Sequence, residues 1–260
     1  MKNNVSMKKT GLMLFALCMM FAACQKDDSN AIVVSYPVTD NYTALDVSNA
    51  FDVVVCDTVS EAKVTVRGGE HRNVIFKVEK GTLKIGFKSG LFNWHHGPAK
   101  VLLPRNSALC EVELSGASSF RGNLQGDKIE LDVSGASEFF GDLLGSEVNI
   151  DLSGASSYAG EIDADDIELE ISGSSVVKSA GSCTGRLEME VSGSSDVDAF
   201  GLECCSVTAK LSGSSDARIS CCESLTGTIS GSSDLYYKVL PGCNPVVNCN
   251  TSGSSEVHAQ

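Results

Sequence analysis

The chain has 260 residues, with 20 lysines and arginines against 33 aspartates and glutamates, and a formal net charge of −13. A surface this acidic repels phosphate and no basic cluster offsets it, which excludes nucleic acid as a partner. The length suits one elongated domain or two compact ones.

Residues 1–23 read as a secretory signal. Lys2, Lys8 and Lys9 supply a basic start, and the apolar run "LMLFALCMMFAAC" from Leu12 to Cys24 is short for a bilayer span of roughly 20 residues. Its end, "FAAC", resembles the lipobox of bacterial lipoproteins, which implies that Cys24 carries the lipid and begins the mature chain. The following "QKDDSN" resembles an acidic export signal that sends lipoproteins to the outer face of the outer membrane. Residues 24–35 are then a lipidated tether, and the membrane is reached through the lipid anchor alone. Removing residues 1–23 takes away three lysines and no acid, so the remainder stands at −16.

Residues 36–108 read as a β-rich N-terminal domain. "FDVVVC", "AKVTVR", "NVIFKVE", "TLKIGFK" and "AKVLLP" are short runs rich in β-branched residues. Gly68-Gly69, Lys80-Gly81 and Gly97-Pro98 punctuate them, and side chains alternate with period 2. Within this region "GLFNWHHGPAK", residues 90–100, holds the only tryptophan. Phe92 and Trp94 in a loop suit stacking on a sugar ring or docking on a protein, and equally suit packing against their own domain.

From residue 109 a repeat takes over. A Ser-Gly-small-Ser tetrapeptide begins at Ser115, Ser134, Ser153, Ser172, Ser192, Ser212, Ser230 and Ser252, at intervals of 19, 19, 19, 20, 20, 18 and 22 residues. A catalytic motif is needed once, whereas eight even copies describe a coil making the same bend on every turn. One, three and five residues before each first serine the positions are apolar in most copies. The residues between them are polar, as in Glu168 and Glu170 flanking Leu169. Gly116, Gly135, Gly154, Gly173, Gly193, Gly213, Gly231 and Gly253 are expected to make the corner, because glycine takes positive φ without a Cβ penalty. The closing serines, Ser118 through Ser255, are expected to stack as a hydrogen-bonding ladder. A right-handed parallel β-helix with rungs of about 19 residues accounts for this period. An antiparallel sandwich gives no reason for one tetrapeptide at a near-constant interval.

The serial "SGASSF", "SGASEF", "SGASSY" and "SGSSDV" turns, with the upstream "VTVRGG…NVIFKVEKGTLKIGF" pattern, resemble the auto-transporter adhesin, head GIN domain family. The resemblance implies a secreted or surface-anchored β-helical protein, and it brings no catalytic residues with it.

Cys183, Cys204, Cys205, Cys221, Cys222 and Cys243 lie eight or nine residues before a Ser-Gly, Cys205 excepted, and should gather at one corner of neighbouring rungs. Rung spacing suits a disulfide in an exported protein, and buried thiols are the other reading. CxxC spacing is absent, so no metal is assigned. The acidic columns that include Glu168 and Glu170 can contact a cationic partner or calcium, or serve only to keep a β surface soluble. No nucleophile elbow, Ser-His-Asp set or cofactor motif stands out. The chain therefore reads as a non-enzymatic surface lipoprotein that binds an extracellular glycan or protein or another envelope protein. A polysaccharide lyase or hydrolase on the same scaffold is the alternative.

Overall fold

Alternating apolar and polar residues place one face of each strand inward, and the Ser-Gly corners return the chain to lay the next strand beside the last. The computed structural model describes residues 30–38, 42–88 and 99–260. It is all-β, a β-solenoid of about 8 turns. The strands in chain order are β1 (Ala31–Tyr36), β2 (Ala44–Val47), β3 (Phe51–Cys56), β4 (Ala62–Arg67), β5 (Val74–Glu79), β6 (Thr82–Phe87), β7 (Ala99–Pro104), β8 (Glu111–Leu114), β9 (Ser119–Arg121) and β10 (Leu124–Val133). There follow β11 (Glu138–Phe140), β12 (Leu143–Leu152), β13 (Ser157–Ala164), β14 (Asp166–Ile171), β15 (Val176–Val191), β16 (Asp196–Leu211), β17 (Asp216–Ile229), β18 (Asp234–Val239), β19 (Val246–Thr251) and β20 (Glu256–Ala259).

Two parallel ladders run through the molecule. Before the Ser-Gly corner stand β6, β2, β8, β10, β12, β14 and the second halves of β15, β16 and β17, followed by β19. Beyond the corner stand β7, β3, β9, β11, β13 and the first halves of β15, β16 and β17, then β18 and β20. The register stacks like on like. Phe120, Phe139 and Tyr158 form a buried column with ring centroids 5.0 and 5.8 Å apart. Val177, Val197, Ala217 and Leu235 continue it, all fully buried. Val247 belongs to the inward set but is 40% exposed, because no described strand follows β19 in its ladder.

The strands of residues 36–108 continue these same ladders. β2 pairs in parallel with β8, and β3 with β9. Leu45, Val53, Leu83 and Val101 share one hydrophobic cluster with the repeat. Among the described residues antiparallel pairing is confined to the first edge: β4 pairs with β7, β1 with β4, and β5 with β6. Those three strands cover the first coil, as a capping element does in repeat proteins.

This continuity has a sequence cause. "LDVSNA", Leu45–Ala50, is a further copy of "LDVSGA", Leu131–Ala136, with asparagine at the corner. Asn49 takes φ 78°, and asparagine is the side-chain-bearing residue that best tolerates that region. Its Oδ1 accepts a hydrogen bond from the Phe87 amide at 2.8 Å, and its carbonyl accepts one from the Ala117 amide at 2.7 Å.

Candidate functional site

At the corners all eight expected glycines have positive φ, between 76° and 84°. Each carbonyl from Gly116 to Gly231 accepts from the amide two residues beyond the next Ser-Gly serine, as Ser174 N to Gly154 O at 2.7 Å. Behind them the closing serines form the expected ladder. Ser175 Oγ donates to Ser172 O at 2.8 Å, while Ser195 Oγ accepts from the Ser175 amide at 3.3 Å. These hydroxyls are buried and satisfied, so they are structural. Ser118, Ser156 and Ser215 likewise donate to the carbonyl three residues before them, and Ser137, Ser233 and Ser255 accept from an amide of the preceding copy.

The cysteine corner divides by face. Cys183, Cys204 and Cys221 lie in register on adjacent strands, buried in the core. Cys222 and Cys243 form the disulfide, with Cα atoms 5.0 Å apart. Cys183, Cys204, Cys205 and Cys221 are thiols. The hydrogen bond with Cys183 and burial both push the Cys204 thiol above its ordinary range, and burial raises Cys221. A thiol held protonated in an apolar core is a poor nucleophile or ligand. Among the described residues no group of three or more His, Cys, Asp or Glu side chains is placed to hold a metal ion.

The acidic positions between the buried residues form ordered columns on the surface. Parallel register stacks Asp46, Glu113, Asp132, Asp151, Glu170 and Glu190 in a single column. Lys84 and Lys210 close its two ends, pairing with Asp46 at 3.1 Å and Glu190 at 3.6 Å. Beside it runs Glu111, Glu130, Asn149, Glu168 and Glu188. At about 4.8 Å per rung, neighbouring carboxylates sit close enough to repel. Partial burial raises Glu113, Asp132 and Asp151, and neighbouring acids add to the shift: Asp46 and Asp132 on Glu113, Glu130 on Asp132, Asp132 on Asp151. Glu168 and Glu170 are exposed within this stripe. Asp46 and the two terminal lysines are absent from the sequence reading, and aligning "LDVSNA" with the later copies would have found Asp46.

A second acidic column, Asp196, Asp216, Asp234 and Glu256, is also in register. It is partly used internally, since Arg218 pairs with Asp196 at 2.9 Å and the Glu256 amide donates to Asp234 at 3.1 Å. Cys24, Phe92 and Trp94 lie outside the described residues.

A coil built from one repeated corner, presenting a charged stripe along its strands, defines a protein of the β-solenoid class. The chain belongs to the family described as "Putative auto-transporter adhesin, head GIN domain", whose model matches residues 41–241. Among solved structures it is similar to a "putative adhesin" from Parabacteroides merdae, with TM-score 0.80 and 20% identity, covering 90% of this chain and 97% of that one. A second "putative adhesin", from Parabacteroides distasonis, has TM-score 0.76 and 22% identity over 90% and 98% of the two chains. A chain described as a "putative lipid binding protein" from the same organism has TM-score 0.65 and 21% identity over 90% and 98%. No curated protein matches.

Proposed function

We propose that the protein is a non-enzymatic, adhesin-like surface lipoprotein, held to the outer membrane through lipid on Cys24, whose acidic stripe contacts a cationic region of an extracellular or envelope protein. The observation that carries this reading is the six-carboxylate column from Asp46 to Glu190, with the adjoining Glu168, on one exposed sheet. Such a stripe attracts and orients a basic partner over its whole length, and adds specificity against acidic ones. Membership of the adhesin family supports the binding role. No observation favours the lyase or hydrolase alternative, because the carboxylates are spread evenly along the ladder instead of converging on one reacting position.

Cells expressing the full chain test both halves of the proposal on a surface coated with an oligolysine peptide at physiological salt. Wild-type cells should adhere, Glu168→Gln with Glu170→Gln should lower adherence several-fold, and Cys24→Ser should release the protein to the medium and abolish adherence. Equal adherence of wild type and the glutamine variant removes the stripe as the contact. Membrane retention of Cys24→Ser, together with a wild type that carries no lipid, removes the anchor.

A further inference from the structure

At the opposite end of strands β10 and β12 from the acidic stripe lies a groove of about 420 Å³, within the range of small-molecule sites. One wall is the segment that follows β7. It is held by Arg105, whose Nε and Nη2 donate to Asp57 at 2.6 and 3.3 Å, and by Asn106, whose Nδ2 donates to Tyr42 O at 2.7 Å. The other wall is a side-chain ladder across three rungs. Asn123 Nδ2 donates to Asp142 Oδ2 at 3.0 Å, the Asp142 amide donates to Asn123 Oδ1 at 3.1 Å, and the Glu161 amide donates to Asp142 Oδ1 at 3.1 Å. Between the walls Gln125, Leu144 and Asp163 stand in register. Leu144 is 49% exposed, an apolar side chain where most outward positions of the repeat are polar or charged.

The hydrogen-bonding capacity left over in this groove is of both signs. Ser107, Gln125 and Glu161 have side chains without a hydrogen bond or ion pair among the described residues. Asn123 retains a second amide N–H, and Asp142 retains acceptor capacity on both oxygens. A cation could use only the acceptors and an anion only the donors. Hydroxyl groups use both, and the C–H face of a sugar ring covers an isolated leucine. Acidic saccharides are disfavoured by Asp142, Glu161 and Asp163. We propose that this groove binds one or two units of a neutral oligosaccharide, with the Leu144 side chain under a ring and the hydroxyls shared between Gln125, Asn123 and Asp142. The walls are already fixed by their own hydrogen bonds, so little ordering is required on binding. This site goes beyond the acidic-stripe reading, because it occupies a different place on the coil and selects different chemistry.

The test is a panel of neutral glucose-, galactose- and mannose-containing di- and trisaccharides, with sialylated oligosaccharides and an oligolysine peptide beside them, titrated against the full chain. At least one neutral saccharide should bind, Leu144→Asp and Gln125→Ala should each weaken it tenfold or more, and Glu168→Gln with Glu170→Gln should leave it unchanged. Both groove side chains face outward, so melting temperatures should match wild type; if Leu144→Asp melts early, Gln125→Ala alone decides. The groove assignment is overturned if no neutral saccharide binds, if affinity survives in Gln125→Ala, or if oligolysine binding is the property lost in the groove variants. Loss of oligolysine binding only in the glutamine pair bears on the stripe and leaves the groove standing.

Discussion

Gly154 shows what the repeat demands of a single residue. It has φ 80°, and a Cβ built there would lie 2.5 Å from the Gly135 carbonyl oxygen of the preceding rung. Two separate penalties therefore coincide, an unfavourable backbone region for any L side chain and a collision with a backbone atom that cannot rotate away. The preceding carbonyl is held in place by its bond from the Ala155 amide at 2.7 Å, so relief would cost that bond as well. Gly154→Val should destabilise the protein by roughly 2–4 kcal/mol, in the range expected for strain at a special backbone position. Denaturant unfolding measures this, and equal midpoints for variant and wild type would defeat the corner argument. This feature is legible in sequence because only glycine meets both conditions at the turns from Gly116 to Gly253. The Asn49 corner is hidden behind a different residue, because there asparagine supplies positive φ together with an acceptor for the Phe87 amide.

At the scale of the strand, adjacent residues face opposite sides, and this decides which cysteines meet. In the doublets Cys204-Cys205 and Cys221-Cys222 the first residue points into the core and the second does not. Counting back to the next Ser-Gly placed all of these near one corner but could not resolve the faces, because a one-residue slip exchanges inside for outside. The register does shift here, between Cys183 and Arg186 and again between Cys204 and Ser206. The repeat interval moves through 20, 18 and 22 residues over the same stretch. The outward partner, Cys222, is the one that reaches Cys243 in the turn before β19, closing a loop with a sequence separation of 21. A loop of that size restricts the unfolded chain by about 3 kcal/mol in the chain-entropy account. Peptide mapping without reductant should therefore find Cys222 joined to Cys243, and Cys183, Cys204 and Cys221 alkylated only after unfolding. Reduction should lower the melting temperature. A cross-link between inward Cys204 and outward Cys222 or Cys243 would contradict the assignment of faces, whereas one between the in-register Cys183 and Cys204 would contradict only their thiol state.

Over the whole molecule, parallel in-register stacking turns a local alternation into a field. Each rung contributes one or two acids that would be unremarkable alone, and the ladder aligns them from Asp46 to Glu190. The sequence shows that these positions are polar and outward, and the Glu190–Lys210 end lies within the regular repeat, but the Asp46–Lys84 end depends on pairings made by β2 and β6, which precede it. Stacking has an energetic consequence as well as a functional one. Asp132 and Asp151 have raised pKa, first by burial and then by an adjacent acid, so the folded state holds protons more tightly than the unfolded chain. Where the folded state binds more protons, stability falls as pH rises, and the penalty is complete once pH exceeds the folded pKa. It vanishes below the unfolded pKa, where both states are protonated. Asp132→Asn with Asp151→Asn should consequently melt higher than wild type at neutral pH, and the difference should shrink as pH is lowered into the ordinary carboxylate range. Other acids, such as Asp57 held down by the Arg105 guanidinium, shift the opposite way, so the comparison is between variant and wild type at each pH. Thermal melts across that range read the result directly. A difference that stays constant or widens on acidification would show that neither burial nor the neighbouring acids raise these two pKa values in the folded coil.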